Sequence, residues 1–228
     1  MSEQIEKDKI YNCDCLEGMK HIPNASIDLV LTDIPYNEVN ASDETQNGIR
    51  VLNKGAADVG NFDVSELARL LISKTRGSIY MFCGFEQVSP IVHEFRAAGL
   101  TPRLIVWEKT NPSPMAGEFT WLSGVEMCVF GKKSGATFNL HCQNTVLRYQ
   151  SGDSKIHPTQ KPIDMFRKLV LASSNPGDTV LDPFMGSGTT AVACIKEKRH
   201  FIGFELNKDY YDKACRRIDA ERRQLSLF

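Results

Sequence analysis

Apolar runs rich in β-branched residues alternate with segments of helical period along almost the whole chain, and no other feature constrains the fold as much. Strand, helix and strand in succession form right-handed parallel crossovers, so an α/β fold is expected, with a mostly parallel sheet and helices on both faces. The expected strands are 8–12, 27–33, 77–83, 100–108, 123–131, 178–182 and 200–205, a seven-stranded sheet. The expected helices are 62–75, 85–98, 161–174, 188–198 and 207–223, the third opening with Lys161-Pro162, where proline suits a first turn. Two polar stretches, 37–61 and 132–160, carry no sustained period and are expected as loops. Long loops inside a compact domain are commonly functional.

A length of 228 residues with 42% hydrophobic content fits a single domain over residues 1–223, followed by a short tail. Lys and Arg number 27 against 28 Asp and Glu, so any contact with nucleic acid must rest on local patches rather than a global positive field. The seven Cys show no Cys-x-x-Cys spacing, which points to reduced, buried thiols and to no metal site. The N-terminus lacks an apolar signal core and no apolar run is long enough to cross a bilayer, so the expected setting is the cytoplasm, away from membranes.

Residues 179–191, reading Thr-Val-Leu-Asp-Pro-Phe-Met-Gly-Ser-Gly-Thr-Thr-Ala, describe a buried strand, a glycine turn and a helix start. Such a turn lets backbone approach a ligand and aims free helix N–H groups at it. No Lys follows the glycines, which excludes a phosphate loop. Gly186-x-Gly188-x-x-Ala191 also fits a relaxed dinucleotide fingerprint, with Glu205 at the next strand's end placed to take a ribose hydroxyl pair. NAD and S-adenosylmethionine both carry an adenosine, and the fingerprint alone does not choose between them. The turn comes late, however, and the single strand after it leaves no second nucleotide-binding half for a nicotinamide.

The strand Ser26 to Thr32 runs into Asp33-Ile34-Pro35-Tyr36, which places this tetrad at a strand's carboxyl end, where ligands bind in open α/β sheets. The amino group of a nucleobase is a poor nucleophile because its lone pair is delocalised into the ring. Acceptors that hold its hydrogens favour a tetrahedral, reactive nitrogen. Asp33 and the Ile34 carbonyl can supply them, Pro35 stiffens the turn and restricts Ile34, and Tyr36 can stack on a base rotated out of the duplex. Such stacking is worth about 1–3 kcal/mol.

The early tetrad together with the late Asp182-Pro183-Phe184-x-Gly186-x-Gly188-Thr189 turn resembles the β-type family of DNA amino-methyltransferases, over nearly the whole chain. The resemblance implies a Rossmann-like methyltransferase fold, S-adenosylmethionine as cofactor, and methyl transfer to adenine N6 or cytosine N4 of double-stranded DNA. An initial Asp goes with adenine in that family, so Asp33 points to adenine. Asn12 to Met19 resembles the family's opening strand and turn, which implies a cofactor contact for Asp14 and its neighbour Cys15; otherwise Asp14 would be an ordinary helix N-cap. The cofactor set implied by the turn is Asp182, Phe184, Met185, Gly186, Ser187, Gly188, Thr189 and Glu205. His157 to Pro162 is also similar to the family and implies that Lys161 meets the methionine carboxylate. Ile34 departs from the proline usual at its position, which weakens turn rigidity and keeps a catalytically silent relative in view.

The loops 37–61 and 132–160 are the expected DNA-recognition segments, the second through Lys132, Lys133, Arg148 and Lys155. The tail Gln224-Leu225-Ser226-Leu227-Phe228 closely resembles the peptide by which bacterial replication and repair proteins dock on the DNA sliding clamp. The expected partners are thus duplex DNA, the clamp and a second copy of the chain as a homodimer, in a bacterial or phage-encoded enzyme working at the nucleoid. A nicotinamide oxidoreductase and a catalytically silent DNA-binding or clamp-binding module are the alternatives from other classes.

Overall fold

A computed structural model describes residues 5–36, 62–114, 117–118, 120–151 and 161–225. The elements in order are β1 (Lys9–Tyr11), α1 (Cys15–Met19), β2 (Ile27–Asp33), α2 (Val64–Lys74), β3 (Thr75–Cys83), α3 (Phe85–Ala97), β4 (Arg103–Lys109) and β5 (Val125–Lys132). There follow β6 (Val146–Tyr149), α4 (Ile163–Ser173), β7 (Thr179–Asp182), α5 (Thr189–Lys196), β8 (His200–Phe204) and α6 (Lys208–Leu225).

Eight strands form one sheet in the order β1-β8-β7-β2-β3-β5-β4-β6. Every neighbouring pair is parallel except those made by β5, which runs antiparallel to both β3 and β4. The expectation of seven strands is corrected by β6, a short edge strand paired with β4 from Val106↔Val146 to Lys109↔Tyr149. It lies inside the stretch expected as loop, and of its four residues only Leu147 is buried, too little to show as a period. The one-turn helix α1 adds to the expected helices and starts at Asp14 as its N-cap, in line with the ordinary reading of that residue.

The central strands are buried on both faces, as parallel strands under helices must be. Leu29, Leu31, Tyr80 and Phe82 pack with Phe166 of α4, Cys194 of α5 and Ile218 of α6. Ile27, Val30, Ile79 and Met81 point the other way, onto Met19 of α1, Leu67 and Leu71 of α2 and Phe95 of α3. The order reverses direction between β2 and β7: the chain leaves β2 toward β3 on one side and β7 toward β8 on the other. The crevice at this switch point is where α/β sheets bind ligands. Among the described residues, no helix is long and apolar enough to cross a membrane.

Candidate active site

The carboxyl ends of β1, β8, β7 and β2 lie side by side, and they carry Asp14, Glu205, the glycine turn and the tetrad respectively. Residues remote in sequence thus form one row along the crevice.

At the β2 end, Asp33 is the last strand residue, in register with Phe82 of β3. The Ile34 N–H donates to the Phe82 carbonyl at 3.0 Å, and the Ile34 side chain is 1% exposed in the α1–α3 core. A proline could make neither this bond nor this contact, so the rigidity that a ring would impose is supplied here by a backbone bond and burial. Gln87 of α3 fixes the rest of the turn: its amide donates to the Pro35 carbonyl at 2.8 Å and its oxygen accepts from the Gly84 N–H at 2.9 Å. With Pro35 engaged, the Ile34 carbonyl is the acceptor of the turn that no described residue occupies.

Two residues not foreseen as site members complete this end. Glu126 near the start of β5 and Lys109 at the end of β4 form an ion pair at 2.8 Å. Lys161, immediately before α4, places its ammonium 2.5 Å from Asp33 Oδ2 and 2.8 Å from Glu126 Oε2. The Tyr36 hydroxyl stands 3.1 Å from Asp33 Oδ1 and 3.0 Å from Glu126 Oε2, and accepts from Lys161 at 3.3 Å. The Lys161 ammonium also lies 5.5 Å from the ring centre of Tyr36, 5.6 Å from that of Phe82 and 6.0 Å from that of Trp107. Sequence resemblance sent Lys161 to the methionine carboxylate; the structure turns it onto Asp33, the tetrad's own acid.

Burial pushes the Asp33 carboxyl above the usual range, Lys161 pulls it down and Glu126 pushes it up again. Burial acts on Glu126 in the same upward direction, but Lys161 and Lys109 outweigh it and hold this carboxylate down to about 2. For Lys161 burial disfavours the charge, and the two carboxylates overcome it, so the ammonium persists. Burial, then the Asp33 and Glu126 charges, raise the Tyr36 phenol well above its ordinary value and keep it a donor.

At the β7 end, Gly186 and Gly188 adopt φ of +53° and +81°, the left-handed region that glycine enters without strain. Gly188 is the N-cap of α5 and brings no side chain to it, so the first N–H groups of that helix are left to the crevice. Glu205 accepts from the Gly186 N–H and the Asn207 N–H, each at 2.8 Å. These bonds orient the carboxylate at the crevice. Asp14 caps α1 through Oδ1, at 2.8 Å from Leu16 N and 3.1 Å from Glu17 N. Cys15 is buried and its thiol is pushed up to about 12 by burial and then by Asp14, which makes it inert.

Other members of the expected cofactor set also have partners within the protein. Met185 is 3% exposed and packs on Gly203 of β8, where a Cβ would meet Met185 Cε at 2.2 Å. Arg217 of α6 donates to the Ser187 carbonyl at 2.9 Å and the Thr189 hydroxyl at 3.1 Å, tying the turn to α6. Asp182 is buried, accepting from Thr190 Oγ1 at 2.5 Å and Phe184 N at 3.1 Å, and burial raises its carboxyl to about 7. Phe184 lies beside Phe62 with ring centres 5.5 Å apart. The backbone of Gly186 and Gly188, the uncapped α5 start, Asp14 and Glu205 line the crevice as groups of the kind that meet a nucleoside with a charged amino-acid tail.

The expected DNA segments divide. Residues 37–61, Lys155 and 226–228 lie outside the described residues, while Gln224 and Leu225 continue α6 instead of beginning the tail. Because β5 is antiparallel, Lys132 and Lys133 fall at the opposite end of the sheet, next to Ser78 and Gly77. They donate there to the carbonyls of Ala136 and Ile72. Arg148 alone of this group lies on the crevice side, on β6 and paired with Glu108 at 3.0 Å. Among the described residues, no cluster of His, Cys, Asp and Glu could hold a metal ion.

Comparison with known proteins adds to this geometry. The family model described as "DNA methylase", of N6/N4 methyltransferases, matches residues 120–216. Type II methyltransferase M.HinfI of Haemophilus influenzae is 29% identical over 90% of this chain and 66% of its own length. Type II methyltransferase M.HpaI of Haemophilus parainfluenzae is 28% identical over 91% of this chain and 73% of its own. The crystal structure of the M1.HpyAVI–SAM complex superposes with a TM-score of 0.72 at 28% identity, covering 92% of this chain and 98% of that one. The cytosine-N4-specific PvuII DNA methyltransferase shares the fold, with a TM-score of 0.71 at 17% identity over 97% of this chain and 93% of that one.

Proposed function

We propose, for a chain that belongs to the N6/N4 DNA methylase family, that it transfers a methyl group from S-adenosylmethionine to adenine N6 in double-stranded DNA. The carrying observation is the position of Asp33 and the Ile34 carbonyl, two acceptors at the β2 end beside the glycine turn at the β7 end. When bound, S-adenosylmethionine supplies an electrophilic methyl on a sulfonium. Glu205 and Asp14 are suited to its adenosine, and the uncapped start of α5 to its carboxylate.

The protein's own part is to shape the acceptor. The base must leave the stack to reach the crevice, and the Tyr36 ring offers a platform for it. Asp33 and the Ile34 carbonyl hold the two amino hydrogens, so the nitrogen lone pair turns toward the methyl. As the N–C bond forms, the electron pair of the C–S bond stays with sulfur. The nitrogen, now carrying a methyl and two hydrogens, returns one proton through Asp33 to solvent. The initial Asp of the tetrad favours adenine over cytosine N4.

Incubating the protein with methyl-labelled cofactor and mixed-sequence duplex DNA, followed by nucleoside analysis, tests this directly. N6-methyladenine is the expected product, and N4-methylcytosine as the sole product would overturn the base assignment. Docking on the DNA sliding clamp through Gln224 to Phe228 and pairing as a homodimer are separate proposals. Deletion of 224–228 should abolish clamp binding while leaving methylation, and sedimentation should report a dimer.

A further inference from the structure

We infer that Glu126 is a positioning residue for methyl transfer, sharing the Lys161 ammonium so that Asp33 stays a strong hydrogen-bond acceptor; this rests on the reading of Asp33 given above. The topology explains how a residue of β5 comes to be there. As the sheet's antiparallel strand, β5 begins where its neighbours end, and the pairing Cys83↔Met127 sets Glu126 just beyond the end of β3. From there its carboxylate reaches Lys161 at 2.8 Å, Lys109 at 2.8 Å and the Tyr36 hydroxyl at 3.0 Å.

The charges alternate along a chain of contacts: Asp33, Lys161, Glu126, Lys109. An ammonium 5% exposed and 2.5 Å from a lone carboxylate would form a closed pair and leave that carboxylate a weak acceptor. Glu126 gives the ammonium a second anion. Asp33 thus stays a more basic acceptor for the amino hydrogens that methyl transfer requires it to hold. The groups facing Asp33 are Lys161 before α4, Glu126 and Cys128 on β5, Tyr36 after β2, Cys83 on β3 and Asp182 on β7. Among these described groups Lys161 is the cation, so Glu126 is placed to temper its positive influence on the acid.

The test is Glu126→Gln in the full-length protein, which keeps the shape and the acceptor for Tyr36 but removes the charge. kcat is expected to fall about tenfold or more, with KM for DNA and cofactor changed little. The acid limb of the kcat profile should move to lower pH, because Asp33 then faces Lys161 alone. Glu126→Asp should recover part of the rate and of the shift. Independently of turnover, carboxyl-carbon NMR of Asp33 should show its titration midpoint lower in Glu126→Gln than in the unaltered chain. A midpoint and limb that stay in place, or move up, overturn the inference. The unaltered protein failing to methylate DNA would sink the functional reading, and the Asp33 titration would still decide the role of Glu126.

Discussion

The β2 and β7 ends of the sheet both draw carboxylates away from water, yet they stabilise them by different means. Around Asp33 and Glu126 the compensation comes from whole charges, the ammonium groups of Lys161 and Lys109. Around Asp182 it comes from dipoles, the Thr190 hydroxyl and the Phe184 N–H, and the nearby Glu205 carboxylate accepts from the N–H groups of Gly186 and Asn207. Whole charges can be redistributed when a substrate arrives, which suits a site whose acid must accept new hydrogens. Fixed backbone dipoles cannot, which suits a cradle that holds one cofactor shape.

This contrast is sharpened most by removing a charge at the β2 end. Lys161→Met leaves Asp33 and Glu126 sharing a confined space with Lys109 as the remaining cation, and breaking a buried pair typically costs about 3–5 kcal/mol. Urea denaturation at neutral pH should show a loss of that order, and a loss under about 1 kcal/mol would mean that the cluster is solvated like a surface pair.

A smaller effect of opposite sign is expected at the β7 end. Among the described residues Asp182 has no cation beside it, and its carboxyl is raised from 3.8 to about 7 by burial. A raised acid favours the folded state while protonated, so its contribution is full below 3.8 and is lost as pH rises toward about 7. Asp182→Asn should flatten the decline in Tm across that window and gain about 1 kcal/mol above it, since Asn still accepts from Phe184. A Tm profile of unchanged slope would contradict the assignment.

The same two regions differ in how far they can be read from sequence. The β7 end is contiguous: strand, Asp182, glycines and helix start fall within 179–191, and its turn geometry follows from residue types alone. Even there, sequence could not show that Met185 fills the space over Gly203 or that Arg217 takes Ser187 and Thr189, because α6 returns only in three dimensions. At the β2 end the tetrad was legible, but half of its electrostatics was not. Glu126 is separated from Tyr36 by 90 positions and Lys161 from Asp33 by 128. Both arrive through sheet order and through the reversed direction of β5, which no local period announces. The one available signal was the run Val125 to Lys132, a strand with a charge near its start. The reversed direction of that strand also carries Lys132 and Lys133 to the far end of the sheet. Ile34 shows the converse: a departure from motif that looked like lost rigidity is compensated by the bond to Phe82.

The most direct test separates the two ends in one sample: methyl incorporation into duplex DNA by Asp33→Ala protein that is shown, by titration, to bind S-adenosylhomocysteine. Binding should match that of the unaltered chain while incorporation falls by about 10³-fold or more. Incorporation that survives the substitution would contradict the assignment of Asp33 as the acid that prepares the amino group.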